Sequence, residues 1–187
     1  MVLALLTVPA IEFQLPKEIT LVLIASVLTY LVLLILKKEP DLPELLNLIG
    51  ECTVVYEVDN YRCKMLERGR EFFRKKDALN KILTLDFQDM PMKEIDDAFS
   101  MAERIMQSKA GRFYKRLLII KSKSKVSDED KEYLYKIVKD VQRLLGELDG
   151  FLIAVSEMKQ DHSLDENKIV DFTNSLIILN QEELRYE

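Results

Sequence analysis

Two clusters of cations are the densest chemistry in the chain. Arg68, Arg70, Arg74, Lys75 and Lys76 surround the pair Phe72-Phe73, and Arg112, Lys115, Arg116, Lys121, Lys123 and Lys125 follow with no acidic residue among them. Cations at this density suit phosphate, either a nucleic-acid backbone or lipid headgroups, because near such a surface each is worth about 1 kcal/mol. The competing reading is structural. Lysines solubilise strand ends, and the acidic runs Glu94-Ile95-Asp96-Asp97 and Asp128 to Glu132 are available as partners. Net charge is -5, so attraction to a polyanion would have to be local.

Catalytic patterns are sparse. The glycines (Gly50, Gly69, Gly111, Gly146, Gly150) do not cluster into a phosphate-cradling loop, and no G-x-x-x-x-G-K-[ST] occurs. His162 is the single histidine and sits in a polar stretch beside Asp161, which gives neither a nucleophile–base pair nor a metal-ligand set. No metal and no cofactor is expected. Asp86 and Asp89, with Tyr114, are the residues an enzyme would have to use. The alternation of the segment turns Asp86 away from Leu85 and Phe87, which reads first as a solvated strand end. Cys52 and Cys63 stand too far apart in the expected pairing for a disulfide, and are read as reduced thiols of a cytoplasmic domain.

These residues need elements to hold them. Residues 19–36 (ITLVLIASVLTYLVLLIL) carry no charge, and at 1.5 Å per residue they would extend ~27 Å, about a bilayer's hydrocarbon thickness. The reading is an anchor bounded by Ile19 and Leu36, with Lys37 and Lys38 marking the cytoplasmic side. It predicts a single-pass cell-membrane protein. The domains expected are an apolar segment over 1–17, the anchor over 18–38, a connecting short helix over 39–51, a cytoplasmic domain over 52–180 and a polar tail over 181–187.

Within the domain, TVVYEV and YRCKML flank Asp59-Asn60 and read as a β-hairpin, and ALNKILTLDF (78–87) as a third strand. KRLLIIKSK (115–123) and FLIAVSEM (151–158) have the continuous apolar character of central strands. Three helices fall between and after them. One carries Ile95, Phe99, Ala102 and Met106 and is stopped by Gly111. The next is capped by Ser127, lined by Leu134, Ile137, Val141, Leu144 and Leu148, and ended by Gly150. The last carries Ile169, Phe172, Leu176 and Ile177. The expected fold is α/β, with α+β as the alternative: one mixed sheet covered by helices, in the order β-hairpin-β-α-β-α-β-α.

The run 82–125 (ILTLDFQDMPMKEIDDAFSMAERIMQSKAGRFYKRLLIIKSKSK), continued by FLIAVSEM, resembles the amino-terminal non-motor domain of the conjugative-transfer ATPases of type IV secretion systems over roughly 52–180. The resemblance implies docking at a DNA-transfer, pilus or secretion machine with other protein subunits, among them a separate P-loop motor. It carries over no catalytic residue. The expectation is a membrane-anchored, non-catalytic assembly subunit whose partners are membrane lipid and other proteins; the alternatives are a tethered enzyme and a nucleic-acid-binding domain.

Overall fold

A computed structural model describes residues 26–27, 40–84, 92–123, 125–161 and 166–184. The chain divides into one compact unit over Met1–Glu39 and another over Pro40–Glu187. Five helices make up the second unit among the described residues: α1 (Leu42–Glu51), α2 (Tyr56–Leu83), α3 (Met92–Lys121), α4 (Asp128–Asp161) and α5 (Glu166–Leu184). No strand occurs among the described residues, so the α/β expectation is corrected to an all-helical bundle.

Each expected strand has a physical reason for being helix. The hairpin segment opens α2, and Asp59, which suggested a turn, sits with Glu57 in its first turn, where both meet the positive end of the helix dipole. Asp59 is also bridged by Arg62 three residues on, at 2.6 Å. The two-residue alternation around it is short, whereas Val58, Met65, Phe72 and Leu79 recur every seven residues and are all buried. Residues 78–83 of the third expected strand complete this helix, and residues 85–90, with Asp86 and Asp89, lie outside the described residues.

The segments 115–123 and 151–158 continue the helices before them, as far as Lys121 in α3 and throughout in α4. Gly111 and Gly150 therefore do not stop helices. Both have helical backbone inside α3 and α4. Phe113, Leu117 and Ile120 continue the buried stripe of α3, while Phe151, Ala154 and Val155 continue that of α4. The strand order behind the type IV secretion resemblance is thus not the observed order.

Where the sequence shows a long 3.6-residue period, the structure follows it. Ile95, Phe99, Ala102 and Met106 are buried in α3, and Leu134, Ile137, Val141, Leu144 and Leu148 in α4. In α5, Ile169, Phe172 and Leu176 are buried, but Ile177 turns outward. α1 begins with Asp41 accepting the Glu44 backbone N–H at 3.0 Å and Pro43 in its first turn.

The bundle is organised around the α2–α4 pair. Lys131 of α4 reaches Glu57 of α2 at 2.5 Å, and Lys75 of α2 bonds Asp149 of α4; the equal offset means that the two helices run parallel. α3 and α5 run antiparallel to α4, the latter fixed by Phe151 stacked on Phe172 at 4.3 Å between ring centroids. α1 lies across α2 and α3. It comes close enough at Gly69 that a Cβ there would stand 2.5 Å from a Leu46 methyl.

Among the described residues, no helix is long and apolar enough to cross a membrane. The anchor expected from Ile19 to Leu36 and its flanking Lys37 and Lys38 lie outside the described residues, apart from Ser26 and Val27. With no membrane-crossing helix among the described residues, the expectations of a single-pass topology and a cell-membrane location are corrected.

Candidate functional site

The cations singled out as phosphate contacts have a different first use. At least five of the eleven are held in ion pairs, and those of Lys75, Lys76 and Arg116 join one helix to another. Arg68 meets Glu71 within α2 at 2.9 Å, Lys75 meets Asp149, and Lys76 meets Glu103 of α3 at 2.7 Å. Arg116 and Lys123 both converge on Asp130, at 2.8 and 2.9 Å. Arg70, Arg74, Lys115, Lys121 and Lys125 are exposed, and Arg112 is half-buried and engaged within the chain. The two expected patches are not brought together as one continuous surface.

Asp130 is the centre of the best-developed polar cluster. Its carboxylate has no exposed surface. Ser127 and Asp130 cap α4 reciprocally: the Ser127 backbone N–H donates to Oδ2 at 3.2 Å, the Asp130 backbone N–H donates to the Ser127 Oγ at 3.2 Å, and that hydroxyl donates to Oδ2 at 2.7 Å. The hydrogen bond from Lys123, then those from Ser127, with the Arg116 charge, outweigh burial and hold the carboxyl far below its ordinary range. Arg116 also lies over the Tyr133 ring at 4.9 Å. This cluster joins the end of α3 to the start of α4, and both carboxylate oxygens of Asp130 are engaged by groups of its own chain. Its chemistry is structural.

The same holds for the buried Lys109, which donates to Asp140 of α4 at 2.7 Å. On the surface, Lys131 donates a hydrogen bond to Glu57 and lowers the carboxyl's pKa, while Glu57 raises that of Lys131. Tyr114 is half-buried against the core. Cys52 is buried, Cys63 is exposed, and both are free thiols. Among the described residues, no group of three His, Cys, Asp or Glu side chains is placed to hold a metal. His162 lies outside the described residues.

Several aliphatic side chains also face outward. Leu118 and Ile119 on α3 are 45% and 46% exposed, Ile153 on α4 is 59%, and Val170 and Ile178 on α5 are 54% and 49%. The sequence carried a signal for the first pair. Four consecutive apolar residues sweep about 300° of a helix, more than a one-sided core can cover, so some must face out. Read as a strand, Leu117 to Ile120 raised no such expectation.

The surface also carries two open grooves. The first, about 290 Å³, lies between α3 and α5, with Ala98, Met101, Ile169 and Val170 in its wall and Glu94 and Asp97 among its polar lining. The second, about 440 Å³, lies between α1 and α2, lined by Leu46, Leu66 and Phe73 with Arg70 and Glu51. Compared with family models, curated proteins and solved structures, the chain matches none.

Proposed function

We propose that residues 40–187 form a non-catalytic helical interaction module, a part that assembles with other protein through the outward faces of its long helices. One observation carries this reading: Leu118, Ile119, Ile153, Val170 and Ile178 stand in solvent on the long helices, while ion pairs such as Lys75–Asp149, Lys76–Glu103, Lys109–Asp140 and Arg116–Asp130 join α2, α3 and α4 to one another. Burying such side chains against a partner is favourable at roughly 25 cal/mol per Å² of apolar surface. The ion pairs, in turn, keep the helices in one arrangement while those faces are presented. The phosphate-contact alternative draws less support, because Lys75, Lys76, Arg116 and Lys123 are occupied by carboxylates.

Cross-linking in the native cell, followed by isolation of the chain, tests the proposal. Ile153→Glu combined with Ile178→Glu should lower the yield of cross-linked protein about tenfold. Its thermal stability should stay within about 0.5 kcal/mol of the parent, as exposed substitutions generally do. Cross-linked species unchanged in identity and yield would dismiss the interaction reading.

A further inference from the structure

We infer that the partner is a second copy of this chain, joined head to tail: the end of α3 in one copy enters the groove between α3 and α5 of the next. The inference rests on the interaction reading above and names its partner.

The two surfaces are complementary in charge as well as in apolarity. The α3–α5 groove has an apolar wall, of which Val170 is the most exposed part, and its ionisable lining among the described residues is acidic, Glu94 and Asp97, with no cation. At the other end of α3, the exposed pair Leu118-Ile119 is bracketed by exposed Lys115 and Lys121. An aliphatic knob flanked by cations thus faces an aliphatic groove rimmed by carboxylates.

One copy cannot close this contact on itself. Knob and groove belong to the same continuous helix, and the 21 helical steps from Asp97 to Leu118 place them about 30 Å apart. Different patches meet in the contact, so each added copy still offers one free knob and one free groove, and assembly proceeds to strings or rings rather than stopping at a symmetric pair. The groove is small and open, so a single joint is weak and sensitive to salt.

Sedimentation velocity of the full chain across concentration tests this. The wild-type chain should grow in mass with concentration and lose that growth between about 50 mM and 500 mM salt. Leu118→Glu with Ile119→Glu removes the knob, and Val170→Lys disables the groove; each variant by itself should associate at least about tenfold more weakly, with unchanged helical circular dichroism. Mixing them is decisive. The knobless copy retains a groove and the grooveless copy retains a knob, so the mixture should form a 1:1 complex of twice the 21.8 kDa chain mass and grow no further.

A wild-type chain that stays monomeric at about 100 µM overturns the inference, since it would lie beyond any useful Kd. So does association that neither variant weakens, or a mixture that pairs no better than its components. If the chain is monomeric while the cellular cross-links still depend on Ile153 and Ile178, self-association alone fails. Loss of that dependence as well would remove the interaction reading itself.

Discussion

A carboxylate with no exposed surface is costly unless its charge is fully matched, and Asp130 is matched by Lys123, Arg116 and both donors of Ser127. Asp130→Ala leaves Arg116 and Lys123 facing an empty, partly buried space and should lower unfolding free energy at neutral pH by about 3 kcal/mol in urea titration. Because folding depresses this carboxyl's pKa, its contribution is fully present above the ordinary carboxylate range. It is lost as the pH falls from about 4 towards the folded value. Asp130→Asn should therefore flatten the acid limb of the stability curve; an acid limb identical to the parent's would mean that Asp130 is not coupled to its neighbours in solution. The sequence made part of this cluster legible, since Ser127 followed by three acids marks a helix start. It gave no sign that Arg116 and Lys123 would be drawn to the third of those acids, because that meeting depends on the turn between α3 and α4.

At the scale of the element, glycine separates the observed fold from the one expected. A helix that ended at Gly150 in a left-handed conformation would be destabilised by alanine there; a helix that runs through it gains. Gly150 lies inside α4, and a Cβ there would meet nothing within 4 Å. Gly150→Ala is accordingly expected to raise stability by about 0.5–1 kcal/mol. Gly69→Ala, which would drive into Leu46 where α1 crosses α2, should lower it by about 1–3 kcal/mol. Loss of stability on Gly150→Ala would return α4 to a helix followed by another element. Long periodic stretches such as Leu134 to Leu148 were legible because several turns of helix repeat the same face. The short ones were not: in TVVYEV or FLIAVSEM, six to eight residues satisfy a strand period and a helix period about equally well, and the tertiary partner decides. Asp59-Asn60 and Gly111 then misled for the same reason, as turn chemistry is permissive and does not by itself break a helix that packs well.

For the whole molecule, the division of labour between charge and apolar surface is the organising feature. Helix-to-helix pairs at Glu57–Lys131, Lys75–Asp149, Lys76–Glu103, Lys109–Asp140, Arg116–Asp130 and Glu157–Lys168 pin four helices to one another, and aliphatic side chains are left outside. In the sequence, Lys75, Lys76 and Arg116 looked like part of a surface for phosphate, because clustering is visible in one dimension and pairing is not. Side-chain oxidative footprinting of the full chain, dilute against concentrated, tests the assembly surfaces most directly. Leu118, Ile119 and Val170 should lose labelling as concentration rises. Equal labelling of Leu118, Ile119 and Val170 under both conditions would contradict assembly through these faces.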